Sequence, residues 1–85
     1  MSRPISILGI FVADLTFRTD RMPHQGETVI GNSFKLGPGG KGSNQAIAAR
    51  RAGAEIMFIT KIGKDTFGDI AMKLYADEEI NSEFI

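Results

Sequence analysis

The chain is 85 residues long and 42% hydrophobic, with ten lysines and arginines against ten aspartates and glutamates and no cysteine. Balanced charge with no run of one sign leaves no electrostatic footprint for nucleic acid, and the composition is that of a folded chain. No apolar stretch reaches the roughly 18 residues of a membrane span and no A-x-A-like site follows the first apolar run, so neither a membrane segment nor a signal peptide is expected. The lack of cysteine excludes disulfides and thiolate metal sites and fits a cytoplasmic protein.

Residues 5–12, "ISILGIFV", form a continuous apolar run that predicts a strand buried on both faces, with Asp14 just past its C-terminal end. Residues 15–27 are polar and mixed, with a turn at "MPHQGE" supplied by Pro23 and Gly26, in which His24 is expected to face solvent. Residues 28–36, "TVIGNSFKL", read as a weaker strand or two, broken at Gly31-Asn32 and lying at an edge or outside the main sheet. A glycine-rich loop follows. Then "SNQAIAARRA", residues 43–52, predicts a helix with Gly53 as its stop. Residues 55–62, "EIMFITKI", give a second buried strand. Phe67, Ile70, Ala71 and Leu74 fall at helical spacing behind Asp65 or Thr66 as cap, and "NSEFI" begins a further strand.

Strand, excursion, helix, strand, helix, strand is the opening of a right-handed α/β sheet. The pattern is that of a segment of something longer, since it does not close a core on its own. Ligands of such sheets sit outside the carboxyl ends of the strands, where Asp14 and the glycine loop both fall.

The loop reads "GPGGKGSNQ", residues 37–45. It is not a phosphate loop of the G-x-x-x-x-G-K-[ST] type: Gly42 stands where the hydroxyl residue belongs, and Lys35 stands where the first glycine belongs. Gly37, Gly39 and Gly42 do fit the dinucleotide string G-x-G-x-x-G. That fingerprint, however, lies in the turn directly after the first strand, and here about 25 residues intervene. A dinucleotide-binding oxidoreductase fragment therefore ranks behind the other readings. What remains is a backbone able to approach a ligand closely, leading into a helix N-terminus whose free N–H groups favour oxygen-rich or anionic groups. With Lys41, the Asn44 amide and the Asp14 carboxylate nearby, the set suits a polyhydroxylated ligand. The bland alternative is a glycine-rich turn carrying a solvated lysine.

With these residues in view, the chain resembles the N-terminal part of ribokinase-type (PfkB family) carbohydrate kinases. "GPGGKGSNQAIAARRAGA" at 37–54 follows the first family signature, "GETVIG" at 26–31 matches the segment before it, and "KIGKDTFGD" at 61–69 is similar to the G-x-D-x-x-G turn of the family. The resemblance implies a three-layer αβα, Rossmann-like ribokinase fold with a small β-sheet lid formed by about residues 15–36, the 85 residues being one N-terminal fragment of a single kinase domain. It implies that Asp14 binds sugar hydroxyls and that Gly40, Lys41, Gly42, Ser43 and Asn44 line the sugar site, with Lys41, Ser43 and Asn44 favouring the ribokinase branch. One position departs: ribokinases commonly carry asparagine two residues before the aspartate, and here it is Val12. The catalytic aspartate of the G-A-G-D motif lies downstream in the family, as do the sites for ATP with Mg2+ and for a monovalent cation, so no residue of this chain is expected to be catalytic or metal-binding. Asp65 is expected to act as a helix cap and not as a base.

The resulting expectation is the sugar-binding part of an ATP-dependent kinase for a pentose or related sugar, a homodimer through its lid, with neither nucleic acid nor membrane as partner. The rival from another class is a non-catalytic sugar-binding or regulatory module.

Overall fold

The computed structural model describes residues 3–85, in the order β1 (Ile5–Leu8), β2 (Val12–Arg18), β3 (Ser33–Gly39), α1 (Lys41–Arg51), β4 (Ile56–Ile59) and α2 (Thr66–Asp77). β1 and β4 pair in parallel, from Ile5↔Ile56 to Leu8↔Ile59. Parallel neighbours need a crossover, and α1 lies within it. On the other edge of β4, Asn81 bridges Met57 in parallel, and the Thr60 N–H donates to the Phe84 carbonyl at 3.3 Å. "NSEFI" thus starts to extend the sheet, as a single bridge followed by a turn and not as a regular strand.

Alternation along β4 puts Ile56 and Phe58 on one face, where they are buried against Ala46 of α1 and Ala71 and Tyr75 of α2. Burial of a side chain the size of Ile56 or Phe58 contributes about 1.5–3 kcal/mol. Ile7 of β1 packs on the same cluster, whereas Leu8, on the opposite face, is 81% exposed. The segment therefore holds a sheet and the helical layer on one side of it.

Local chemistry explains both helices. α1 is rich in alanine and arginine, both good helix formers, and it ends where Gly53 turns to φ 102° and donates to the Arg50 carbonyl at 3.0 Å. α2 starts at Asp65, whose Oδ1 accepts the Gly68 N–H at 2.8 Å. Its buried stripe runs through Gly68, Ala71 and Tyr75; of the expected Phe67, Ile70, Ala71 and Leu74 face, Ala71 is buried and Ile70 and Leu74 are half-buried, so the stripe is turned slightly toward Gly68 and Tyr75. Gly68 packs against the Gly63 carbonyl with no room for a Cβ, which turns that face of the helix inward and leaves Phe67 41% exposed.

The first apolar run is not one strand. Its last bond to the core sheet is from the Gly9 N–H to the Ile59 carbonyl at 3.2 Å, after which the chain leaves and Val12 opens β2. β2 pairs antiparallel with β3 from Val12↔Gly39 to Arg18↔Ser33 as a separate two-stranded sheet. That hairpin is wider than the 15–36 excursion read from the sequence, and Gly37 to Gly39, expected in a loop, are strand residues. Its pleat separates two faces: Val12, Asp14, Thr16 and Lys35 on one, and Leu15, Phe17, Phe34 and Leu36 on the other. Phe17 and Phe34 stand directly opposite each other with ring centroids 4.8 Å apart. The tip is held by polar contacts in place of a core. Arg21 forks onto Glu27 at 2.5 and 2.7 Å, the His24 N–H donates to Glu27 at 2.9 Å, and Asn32 Nδ2 donates to Asp20 at 2.8 Å. The Arg21 guanidinium, helped by the His24 N–H, holds the Glu27 carboxyl below its ordinary range. His24 itself is exposed, as expected.

The hairpin projects, so the radius of gyration is 16.2 Å, against about 12 Å for a compact domain of this length. Leu15, Phe17 and Phe34 are 47%, 64% and 53% exposed, and the sheet face with Leu8 is open. Uncovered apolar faces and unpaired strand edges promote association. Residues 1–85 expressed alone are expected to self-associate, to bind a hydrophobic dye and to lack a sharp cooperative transition. Light scattering with thermal melting checks this, and a monodisperse, cooperatively melting monomer would contradict it.

Candidate functional site

The start of α1 and the root of the hairpin meet at the carboxyl end of β1. Gly40 makes the bend between β3 and α1 at φ 100°, ψ 129°, a left-handed conformation that favours glycine, and a Cβ here would strike the Ile10 carbonyl. Two residues on, Gly42 lies against Gly9: a Cβ built on either glycine would fall 2.9 Å from the Cα of the other. The two backbones touch, and α1 is thereby seated directly on the exit of β1.

A cleft of about 760 Å³ opens at this junction. It is lined by Asp14, Gly40, Lys41, Gly42 and Asn44, together with Leu8, Gly9, Ile10, Val12, Pro38, Gly39 and Gln45. The first-turn N–H groups of α1 face no side-chain cap, and no acidic residue occupies that turn. The positive end of the helix and Lys41 are therefore both available to an oxygen-rich group. Across the cleft, Asp14 stands in β2 opposite Gly37, and its Oδ2 is 3.4 Å from where a Gly39 Cβ would sit. Glycine at 39 leaves the space that this carboxylate occupies. Neither Asp14 nor Lys41 has a side-chain hydrogen bond or ion pair among the described residues, and both are exposed. The donor and acceptor functions of the site are open for a ligand that needs both.

A second cleft of similar size, about 770 Å³, lies at the carboxyl end of β4 and is lined by Lys61, Gly63, Lys64, Asp65 and Asp69. There the helix start is already satisfied, because Asp65 caps α2. Of two helix starts at the carboxyl edge of one sheet, α1 alone leaves its N–H groups without a side-chain partner.

Five of the six residues singled out from the sequence come together here. Ser43 is the correction. It is fully buried, and its Oγ shares a 2.7 Å hydrogen bond with the Tyr75 hydroxyl, away from the cleft. Helix rotation is the reason. Residues 41, 44 and 45 share one face of α1, whereas Ser43 shares the core face with Ala46 and Ile47. The same 3.6-residue period points to Gln45, one turn after Lys41, which the sequence reading passed over. Val12 does line the cleft, 40% exposed, and presents methyl groups. Tyr75, whose partner could not be read from spacing, has its phenol pushed above the ordinary range by burial, an effect partly offset by the Ser43 hydrogen bond. The G-x-G-x-x-G string forms no single turn, since Gly37 and Gly39 lie in β3 and Gly42 in α1. Among the described residues, no three His, Cys, Asp or Glu side chains assemble as a metal site, and no helix is long and apolar enough to cross a membrane.

Comparison with known proteins bears on the family and the fold. The profile of the pfkB family carbohydrate kinases matches residues 3–85. The chain is 47% identical over 66 residues to a ribokinase of Bacillus subtilis, covering 78% of this chain and 22% of the relative. It is 37% identical over 81 residues to a deoxyribokinase of Salmonella typhi, covering 95% and 26%. Among solved structures, an Arabidopsis thaliana ribokinase complexed with ribose and ATP superposes with a TM-score of 0.86 at 26% identity, covering 99% of this chain and 28% of that one. The chain thus spans about a quarter of the length of the relatives it matches. With the family profile matching residues 3–85 and the fold of a solved ribokinase matched over 99% of this chain, the chain belongs to the pfkB family of carbohydrate kinases.

Proposed function

We propose that this chain is the N-terminal, sugar-holding part of an ATP-dependent carbohydrate kinase of the ribokinase type, acting on a pentose or related sugar. The observation that carries the reading is the uncapped start of α1 facing the unpaired Asp14 carboxylate across one cleft. In this reading Asp14 accepts hydrogen bonds from two sugar hydroxyls. Lys41, Asn44 and the N–H groups of the Gly40–Gly42 turn bind the remaining sugar oxygens. The polar face of the hairpin, with Thr16 and Lys35 beyond Asp14, closes over the sugar as a lid. In the full-length kinase a primary hydroxyl oxygen of the sugar bonds to the γ-phosphorus of ATP, the bond to the β-phosphate oxygen breaks, and ADP leaves as the hydroxyl gives up its proton.

This segment contributes the positioning of the acceptor hydroxyl, worth much of the barrier in such transfers. Its sequence contains no G-A-G-D motif, and among the described residues no three His, Cys, Asp or Glu side chains come together as a metal site. The base, the ATP site and the ion sites are assigned to the remainder of the family fold. The outward apolar face of the hairpin, with Leu15, Phe17 and Phe34, is assigned to a lid-to-lid contact in a cytoplasmic homodimer. The rival, a sugar-binding module without chemistry, draws on one feature: every proposed hydroxyl-binding group lies within this segment. Transfer of labelled γ-phosphate to ribose, 2-deoxyribose or fructose by the full-length protein decides for the kinase, and sugar binding without transfer decides for the module.

Charge-assisted hydrogen bonds contribute about 1.5–3 kcal/mol each. Asp14→Ala in the full-length protein is therefore expected to raise the dissociation constant of the sugar at least about tenfold while ATP binding stays near its starting value. Calorimetric titration of both ligands checks this, and equal weakening of the two would remove Asp14 from the sugar site.

Val12 lines the cleft where a ribokinase commonly offers an asparagine amide. A wall of methyl groups discriminates weakly between a hydroxyl and its absence, whereas a hydrogen-bonding wall discriminates strongly. Val12→Asn is expected to shift the ranking of kcat/KM among ribose, 2-deoxyribose and fructose towards ribose. Where the sugar lacks the hydroxyl, the new amide is left unpaired at a cost of about 1–3 kcal/mol. Equal change in all three values would show that residue 12 does not meet the sugar.

A further inference from the structure

Tyr75 lies outside the cleft yet touches both of its walls through one residue each. It is fully buried in α2, with its hydroxyl 2.7 Å from Ser43 Oγ and its ring edge-on to Phe11 at a centroid distance of 6.4 Å and an interplanar angle of 85°. Phe58 of β4 backs the ring at 5.2 Å. Ser43 stands between Gly42 and Asn44 in the first turn of α1, the turn whose N–H groups open into the cleft. Phe11 stands between Ile10, whose carbonyl bounds Gly40, and Val12, the first residue of the hairpin. One side chain of the core therefore fixes the helix start and the hairpin root relative to each other.

At its first turn, the other contact that seats α1 is Gly42 on Gly9, while farther along Ala46 and Ile47 pack on the core and Arg50 and Arg51 pair with Glu79 and Glu78. The glycine contact sets a distance but no direction, and the directional ion pairs lie at the opposite end of the helix, so they leave the first turn itself unpinned. The hydroxyl pair is directional. It is buried and is the one side-chain hydrogen bond that either hydroxyl makes, so a rotation that parts Ser43 from Tyr75 breaks the bond that satisfies both. Such a rotation would also carry Lys41 and Asn44, on the opposite face of the same turn, away from a ligand held by Asp14.

We propose that Tyr75 is a positioning residue for the sugar site, acting through Ser43 and Phe11 to hold the first turn of α1 and the lid root in register. The inference rests on the sugar-site reading above and deepens it. It gives Ser43 the task of anchoring the turn from behind, where the ligand is not touched.

The test uses the full-length protein with Tyr75→Phe, Ser43→Ala and the double variant, read by sugar and ATP kinetics, amide hydrogen exchange at residues 41–44 and thermal midpoint. Tyr75→Phe keeps the ring against Phe11 and Phe58 and removes only the hydroxyl. Losing a net hydrogen bond's worth of register is expected to raise the sugar KM about fivefold and to speed exchange at 41–44 by a similar factor. The kcat and the ATP KM are expected to stay within about twofold, since neither the reacting groups nor the nucleotide is touched. Each single variant orphans a buried hydroxyl, and the double variant orphans none, so its thermal midpoint is expected to recover towards the parent's. The sugar KM of the double variant is expected to stay raised, because the directional link is still missing. A KM that returns with the midpoint overturns the proposal and leaves only a satisfied core pair. If the parent binds and phosphorylates no sugar, the functional reading fails on its own. Exchange at 41–44 then still decides the positioning role, with unchanged rates overturning it and faster rates in Tyr75→Phe supporting it.

Discussion

Where Gly42 lies on Gly9, the backbone of a helix start meets the backbone of a strand exit with no side chain between them, and the rest of the site follows from that contact. Any Cβ at either position would push α1 off the end of β1 and close the cleft or misalign it. With both absent, the helix begins at the sheet's carboxyl edge, where its exposed N–H groups and dipole are useful to a ligand. Gly40 completes the arrangement by turning the chain through a left-handed bend against the Ile10 carbonyl. Three glycines thus act together as one device: two for proximity and one for direction.

The two helices of the segment show what the device forgoes. α2 begins with Asp65, a capping side chain worth about 0.5–2 kcal/mol in comparable helices. α1 begins with a glycine and a lysine, has no side-chain cap, and places a positive side chain beside the positive end of its own dipole. Local stability would favour serine or aspartate at the cap and an acid in the first turn. A departure from local preference at one helix start, beside a sibling that obeys it, is where a binding role is expected. The Asp14 carboxylate across the cleft supplies the opposite sign without capping the helix.

The hairpin turns the same alternation rule to two uses. Its cleft-facing side carries Val12, Asp14, Thr16 and Lys35, and its outer side carries Leu15, Phe17, Phe34 and Leu36. A two-stranded sheet is marginal by itself. Here the opposed aromatic pair and the polar clasp of Arg21 with Glu27 hold its length and tip, and the root is held by Phe11 against Tyr75. The hairpin is therefore held along its strands and packed at its base against a residue of the core, which joins the packing of α2 to the geometry of the cleft.

Much of this could be read along the chain. The apolar runs at 5–8 and 56–59, the alanine-rich helix with Gly53 behind it and the Asp65 cap all follow from periodicity, propensity and capping, which are properties of near neighbours. The glycine string with Lys41 and Asn44 likewise marked the start of a helix, and its failure as a nucleotide loop was plain from spacing alone. Tertiary structure decided the rest. "ISILGIFV" is equally apolar before and after Gly9, so nothing in its pattern announces that the chain leaves one sheet there and joins another. The strand character of Gly37 to Gly39 exists only because β2 lies alongside. Ser43 turned inward because a tyrosine 32 positions later offered a buried hydroxyl. Each of these depends on which distant residue comes to stand opposite, and that is set by the packing of the whole segment.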